Sequence, residues 1–552
     1  MMKKLFAFIL ALVMVLSVLA ACNNEKPVET KPAETKPAET KPAETQPVET
    51  EPVDPTAEMY GGHLNIAIGS TSWSYLDPSK STGSGNYIWT RMIWEAPLTR
   101  DLNGAIQPCV CDFELSEDAL TLKLWVREGK TFHDGSEVEI EDVVASVMRA
   151  THKSPRSYVS AYVESVNIEN GVATFKFTEY NEKTMYYIAC TNPFIGVMPK
   201  EIAEKYSNES GNFIDNVAEA IGTGPYKIVD YKESEYVEMA RHDSYVVVDE
   251  GLTGYAAPRN AYMDTITFYF PTDANNAAIA MLNGEYDVGI GILGEDYYSQ
   301  MEAAGIERRE TDLSTSARVM FFNTFGNSIT SNDPNLRKAI VAAIDIPELL
   351  LVGDGNEYFV DGNFTLDELY HTDTFNNADY MGADNVELAK KYLAASNYNG
   401  EPVKLVVPSS QADLFTMVDA YLKAAGINTE MTVMESNAYN EFRGDPNNDW
   451  DFYFGVPALN NTPVLLSDTI MKTDYKNDVK DQLLAELNKL PAGSAAYIAK
   501  WEELAKQMVD DCAVIAFGRP LSYSILNAEV QFDNGRTYYY NAYWENPADH
   551  TK

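Results

Sequence analysis

Four groups of residues in this sequence have types and spacings that could support chemistry. Gly289–Gly294 (GIGILG) follows the glycine pattern of dinucleotide-binding loops. The stretch Asp445–Asp451 begins like a calcium-binding loop. His133–Asp134 could act as an acid–base pair, and Cys109 with Cys111 could bind a metal. Each group needs further residues before it can do this chemistry.

Those further residues are missing. A calcium loop needs glycine where this chain has Trp450 and glutamate where it has Val456. The six histidines form no His-x-x-x-His pair, and no second cysteine pair lies near Cys109. His133 belongs to a His-Asp-Gly turn between a strand and a helix. We therefore predict that the protein is not an enzyme and uses no cofactor and no metal.

The first residues predict export. Lys3 and Lys4 precede an apolar run, Leu5–Leu16, that is short for a membrane span. The run ends in Leu19–Cys22 (LAAC), which resembles a bacterial lipobox. We expect residues 1–21 to be a signal peptide and Cys22 to carry lipid on the outer face of the cell membrane. An exported protein meets no nicotinamide pool, which rejects the dinucleotide interpretation.

Residues 22–59 read as a tether. Residues 26–50 are five pentapeptides of the type KPAET, and a proline in every fifth position favours extended backbone. At about 3.1 Å per residue, such a segment reaches on the order of 100 Å. We expect it to hold a folded body away from the lipid bilayer.

Composition describes an ordinary soluble body with a strong negative charge. The chain has 42 basic and 82 acidic residues, a net charge of −40, which opposes nucleic-acid binding. The remaining 490 or so residues are too many for one hydrophobic core and enough for two or three lobes. Cysteines after Cys22 are too sparse for a disulfide scaffold, and one disulfide or none is expected. We expect a monomer.

Strands and helices alternate along this body. Alternating apolar residues predict strands, and apolar residues at helical spacing predict helices. The pattern indicates α/β lobes, with proline- and asparagine-rich breaks near 325–335 and 445–463. The predicted strands are 120–126, 172–177, 265–270, 403–407 and 429–434, and the predicted helices are 139–151, 385–396 and 411–425.

Several sequence blocks are spread along this body. They are Gly61–Ala67 with Leu76-Asp77-Pro78, Trp125–Gly135 with Glu141–Val144, Gly222–Tyr226, Met281–Val288, Phe322–Thr324 with Arg337–Asp345, and Asn385–Leu393 with Asn397–Gly400. Together these blocks resemble the bacterial extracellular solute-binding proteins of family 5, the peptide- and nickel-binding components of ABC importers. Their order along the chain follows the order in that family.

The resemblance implies a two-lobed fold that closes over a solute by a hinge. It places lobe I in residues 60–312 and 511–552, with an extra subdomain at about 97–210. Lobe II would be residues 313–510. The expected partners are a small-molecule or peptide ligand and the permease subunits of an ABC importer.

The resemblance also suggests ligand contacts. The segment Ser79–Gly85 would line the cleft, with Thr82 and Ser84 as contacts. Arg156 could bind a carboxylate. Aromatic residues near the cleft could stack on a ring; they are Trp73, Tyr75, Trp89 and Trp94. The proposed ligand residues are Thr82, Ser84, Arg156, Asn460, Asn461, Trp73 and Tyr75.

One family feature is missing. Peptide binders of this family hold the peptide's α-ammonium group with the aspartate of a Trp-x-x-Asp stretch. The aspartate position here is Leu459 or Asn460, and the tryptophan position is Val456 or Pro457. An asparagine accepts a hydrogen bond more weakly than a carboxylate. We rank oligopeptides first, with oligosaccharides or other neutral solutes, or a surface interaction protein with a lost cleft, as alternatives.

Overall fold

Two large β-sheets form the framework of the protein, which we describe from a computed structural model. The predicted signal peptide, Cys22 and the repeat segment lie outside the described residues. The structure describes residues 57–551 apart from 70–75, 81–85, 102–103, 154–157, 190–194, 208–212, 249–250, 253, 292–294, 311–315, 327, 355–357, 366–367, 382–384, 446, 458, 460–461, 467–470, 472–474, 522 and 533–538.

The first sheet has seven strands and draws on both ends of the described chain. Its strand His63–Ile68 pairs in parallel with Thr265–Tyr269 and with Val288–Ile290, and the remaining pairs are antiparallel. The strand order is Ile306–Glu310, Tyr523–Asn527, Val288–Ile290, His63–Ile68, Thr265–Tyr269, Tyr236–Arg241 and Tyr226–Lys232.

The second sheet has six strands from the later part of the chain. Val403–Pro408 pairs in parallel with Thr429–Met434 and with Phe452–Gly455, and the other pairs are antiparallel. The strand order is Tyr358–Phe359, Val514–Pro520, Arg318–Phe322, Phe452–Gly455, Val403–Pro408 and Thr429–Met434.

A third, antiparallel sheet of four strands lies within residues 111–177. Two short hairpins complete the strands of the described chain. The four-stranded order is Cys111–Leu115, Thr121–Val126, Val172–Phe177 and Val163–Glu169, and the hairpins are Leu98–Arg100 with Ile106–Pro108, and Val530–Phe532 with Ala542–Trp544.

Helices connect and cover these sheets. Among the described residues, no helix is both long and apolar enough to cross a bilayer. The α-helices are Asn86–Ile93, Ile140–Lys153, Tyr158–Tyr162, Glu182–Ile188, Lys200–Lys205, Ala274–Leu282, Glu295–Ala303, Pro334–Ala343, Ile346–Asp354, Asp373–Asn376, Val386–Ala395, Ala412–Ala424, Ser436–Gly444, Asp478–Leu487 and Ala495–Asp511.

Each large sheet has its own apolar core. Leu64 and Phe268 are fully buried in the core of the seven-stranded sheet, and Leu405 and Phe452 are fully buried in the core of the six-stranded sheet. A third cluster joins the four-stranded sheet to helices of the later part of the chain. Burying such side chains stabilises the fold by roughly 1.5–3 kcal/mol each.

The chain passes twice between the two large sheets. It leaves the seven-stranded sheet after Glu310 and enters the six-stranded sheet at Arg318, then returns between Pro520 and Tyr523. The predicted lobe boundaries near 312 and 511 stay a prediction. Because Val514–Pro520 is a strand of the six-stranded sheet, we propose to place the second boundary after Pro520.

The structure confirms the predicted helices and strands to within two residues. Asn385 caps the helix Val386–Ala395 through its side chain, which accepts from the backbone N–H of Leu388. The expectation of an irregular connection over 445–463 was wrong in part. Phe452–Gly455 is an inner strand whose aromatic residues are buried on both faces, so it lacks the alternation that marks a half-buried strand.

Candidate ligand-binding cleft

The seven candidate ligand residues lie in four segments that the structure does not describe. The candidates outside the described residues are Trp73, Tyr75, Thr82, Ser84, Arg156, Asn460 and Asn461.

Asp77 anchors the turn from which the segment with Thr82 and Ser84 begins. Its Oδ1 atom accepts hydrogen bonds from the backbone N–H and the hydroxyl of Ser79, at 3.0 and 2.7 Å. Its Oδ2 atom accepts from the backbone N–H of Ile214 at 2.9 Å. The carboxylate is therefore satisfied on both oxygens and fixes the start of the predicted cleft segment.

The same carboxylate forms an ion pair with Arg149 on the helix Ile140–Lys153. That helix begins where the Asp142 carboxylate accepts from the backbone N–H of Glu139, which caps its first turn. It ends directly before the segment that contains Arg156. One buried ion pair thus connects the bases of two predicted ligand segments.

Trp89 and Trp94 are not available for ligand stacking. Both side chains are fully buried and belong to the core of the seven-stranded sheet. The backbone carbonyl oxygen of Ile93 occupies the space that side chains at Gly222 and Gly224 would need, since it would lie 2.1 and 2.8 Å from a β-carbon added at these positions. The Trp94 ring and the end of the first helix thus pack closely against the Gly-Thr-Gly-Pro-Tyr block.

The segment with Asn460 and Asn461 follows the inner strand Phe452–Gly455. Leu459, one of the two residues aligned with the missing aspartate, is apolar and buried in an apolar cluster. Asn460 is therefore the polar candidate of the two. On the other side of the segment, the Thr462 hydroxyl lies 2.9 Å from the hydroxyl of buried Tyr497. Both flanks of this candidate segment are therefore fixed.

A polar cavity lies beside the crossing at Pro520. Arg519 is fully buried; its Nε atom lies 2.8 Å from Asp361 Oδ2, and its Nη2 atom donates to the carbonyl of Thr365 at 2.7 Å. Arg519 pairs in register with Phe359. The cavity measures about 510 Å³ and is lined by Phe359, Val360, Asp361, Asn363, Glu368, His371, Thr372, Asp373 and Asn376.

Sequence reasoning missed the charged residues that anchor these segments. Arg149, Asp361 and Arg519 were not among the candidates. Arg519 had a usable signal, since a charge inside the apolar run Val514–Pro520 must find a buried partner. Its partner, Asp361, is too distant in sequence for spacing to indicate it.

His133 holds a backbone loop and has no catalytic partner in the described contacts. Its Nδ1 atom accepts from the N–H of Gly222 and its Nε2 atom donates to the carbonyl of Gly224, each at 3.1 Å. Burial and the neighbouring His242 lower the pKa of His133 to about 3. The imidazole is therefore neutral and structural at physiological pH.

Metal ligands do not cluster in the part of the chain that the structure covers. No group of three histidine, cysteine, aspartate or glutamate residues there could hold an ion. Asp451, the last residue of the calcium-like stretch, instead accepts from the Ser328 hydroxyl and from the backbone N–H groups of Ile329 and Lys404. Its carboxylate links three chain segments.

Comparison with known proteins identifies the family of this chain. The family model of bacterial extracellular solute-binding proteins, family 5 (middle region), matches residues 105–473. The chain belongs to this family. The four-stranded sheet and most of the six-stranded sheet lie inside the matched residues.

Family 5 relatives match at low identity over most of the chain. The oligopeptide-binding protein AppA of Bacillus subtilis is 23% identical over 432 residues, covering 72% of this chain and 74% of AppA. The crystal structure of the substrate-binding protein CtaP of Listeria monocytogenes has a TM-score of 0.71 at 20% identity, covering 88% of this chain and 99% of CtaP.

A third family 5 similarity is to DppA of Helicobacter pylori, whose structure contains the peptide STSA. The TM-score is 0.67 at 18% identity, covering 88% of this chain and 99% of DppA. These structural matches extend over nearly the whole described body. They establish the mixed α/β, two-lobed fold of periplasmic binding proteins for this chain.

Proposed function

We propose that this protein captures oligopeptides outside the cell and delivers them to the permease of an ABC importer. The observation that carries the proposal is the family 5 match over residues 105–473. The peptide class is supported by AppA, an oligopeptide-binding protein, and by the complex of DppA with a peptide. The protein performs no catalysis in this account.

The ligand would lie between the two large-sheet lobes. The segments with Thr82, Ser84 and Arg156 would contact it from lobe I, and those with Asn460 and Asn461 from lobe II. The peptide backbone would be held by hydrogen bonds, while waters fill the space around varied side chains. Arg156 is the residue we assign to a ligand carboxylate.

The α-ammonium group would be held without the aspartate of other peptide binders. Leu459 is buried, and Asn460 provides a neutral acceptor only. We therefore expect weaker dependence on a free amino terminus than in relatives that carry the aspartate. Acetylated and free peptides of one sequence should bind this protein with similar affinity.

Anchoring to the membrane is the second part of the proposal. Cys22 would carry lipid after removal of residues 1–21, and residues 22–59 would tether the body on the outer face of the membrane. Lobe I would comprise residues 60–312 together with the C-terminal residues, and lobe II the residues between. The body would act as a monomer.

Native mass spectrometry of protein purified without refolding tests the ligand class. Tight ligands survive purification, so a series of masses that fit short peptides would support the proposal. A co-purified oligosaccharide would overturn the peptide assignment. Arg156→Ala should weaken the binding of a peptide with a free C-terminus, and unchanged affinity would remove Arg156 from the site.

A further inference from the structure

The helix Glu182–Ile188 joins the four-stranded subdomain to the second half of the protein. The Asn181 side chain caps it by accepting from the backbone N–H of Thr184 at 3.1 Å. Every residue of the helix is buried, including the charged Glu182. A buried carboxylate in the first turn of a helix needs hydrogen-bonding or charged partners.

Glu182 has partners on both sides of this junction. From its own subdomain, Arg100 Nη2 donates to Oε1 at 2.8 Å and the Tyr180 hydroxyl donates to Oε2. From the far part of the chain, the backbone N–H of Ala492 donates to Oε2 at 3.1 Å. The backbone N–H of Glu182 in turn donates to the carbonyl of Asn488 at 2.8 Å.

Because the charged side chains of Glu182 and Arg100 are buried, separating Glu182 from its partners would be costly. The side chains of Glu182 and Arg100 are only 1% and 7% exposed. Burial alone would lower the pKa of Arg100, but the charge of Glu182, together with smaller contributions from Tyr370, Tyr180 and Tyr186, raises the pKa above its usual value. Both charges therefore depend on one another, and the amide of Ala492 completes the set from the opposite side.

Packed side chains connect the helix Glu182–Ile188 to the flank of a candidate ligand segment. Apolar residues of the helix, among them Met185 and Ile188, share one cluster with Leu487 and Tyr497. Tyr497 also faces Thr462, which directly follows Asn460 and Asn461. Packed side chains thus connect the helix that begins at Glu182 to Thr462, the residue that follows that segment.

We propose that Glu182 is a positioning residue that holds the subdomain against lobe II in the closed form and sets the balance between closed and open forms. When the lobes separate, Ala492 and Asn488 leave Glu182, and water replaces them. The proposal rests on the proposed function in one respect: it takes the subdomain to move with lobe I.

Hydrogen exchange of the full-length mature protein without ligand tests this role. Glu182→Gln removes the charge with little change in shape. The amides of residues 182–189 and of residues 488–490 and 492 should then exchange about tenfold faster or more, since a hydrogen bond to a charged group is lost. The radius of gyration in solution scattering should rise. The control Glu179→Gln makes the same change at an exposed position three residues earlier and should alter neither.

Tyr180→Phe is a milder second variant, because it removes one donor to the same carboxylate. It should accelerate exchange in the same two segments by a smaller factor. If Glu182→Gln does not fold, unchanged exchange in Tyr180→Phe overturns the proposal. If Glu182→Gln folds, a lower melting temperature with unchanged segment exchange and unchanged radius overturns it, because the contact would then be static. Since no ligand is added, this outcome is independent of whether peptides bind.

Discussion

Asp77 and Arg149 form a buried ion pair, in which the two side chains are 1% and 2% exposed. Asp77 lies at the start of one predicted ligand segment, and Arg149 lies on the helix that leads into another. The two segments are about seventy residues apart in sequence. The pair therefore joins the described residues that lead into these two segments.

Removing one charge of this pair should destabilise the protein strongly. Asp77→Asn leaves Arg149 buried without a counter-charge, which costs about 3–5 kcal/mol. Urea unfolding measures the free energy of unfolding. Glu114→Gln, at the exposed pair with Lys123, is the matched control and should cost less than about 1 kcal/mol. Equal stability of the two variants would show that the buried pair does not anchor these segments.

Acid should weaken the structure around His133. The folded-state pKa of His133 is about 3, below its ordinary value of 6.5, so the folded protein binds fewer protons than the unfolded chain between these values. Neutral His133 therefore makes its full contribution to the free energy of unfolding above pH 6.5. Below pH 6.5 this contribution falls by up to about 1.4 kcal/mol per pH unit. Loss of net negative charge towards the isoelectric point acts in the opposite direction.

The comparison with His133→Gln isolates the histidine. Free energies of unfolding should be measured for both proteins at pH 7.5, 6 and 5. The difference between them should shrink as the pH falls, because only the wild-type chain takes up a proton at position 133 when it unfolds. A difference that is constant over this range would contradict the neutral, loop-holding role of His133.

The described cysteines should be unreactive thiols. Burial raises the pKa of Cys109 and Cys111 and raises that of Cys512 to about 12, so little thiolate is present at pH 8. Iodoacetamide should modify them slowly in the native protein and rapidly in urea. Intact mass then checks for a disulfide. A mass lower by two hydrogens, mapped to any two of these residues, would contradict their free state.

Lipid on Cys22 should keep the mature protein with the membrane. The mature protein should partition into detergent, and Cys22→Ala should release or misprocess it. Mass spectrometry of the mature N-terminus gives the direct check. An N-terminus at a residue other than Cys22 would refute the anchor, while the fold and the solute-binding assignment would stand.

Local patterns predicted most of the fold because they are set by neighbouring residues. The alternation of Leu120–Val126 and the helical spacing from Ile140 to Met148 each produced the predicted element. Phe452–Gly455 was missed because a strand that is buried on both faces carries no alternation. Its place between two other strands depends on partners elsewhere in the chain.

The site was less predictable for a related reason. Family blocks indicated where ligand segments lie, but the residues that hold them form long-range pairs, such as Asp77 with Arg149 and Asp361 with Arg519. No spacing rule connects residues so far apart. Trp94 shows the converse: its aromatic ring was a plausible stacking surface in sequence, yet it is fully buried.

We propose that this protein captures a peptide by closing two lobes and leaves the peptide intact. Solution scattering of the mature protein, first without ligand and then with an excess of a synthetic pool of short unmodified peptides, tests it most directly. The radius of gyration should fall when the pool is added, and the recovered peptides should have unchanged masses. An unchanged radius at saturating pool, or cleaved peptides, would contradict it.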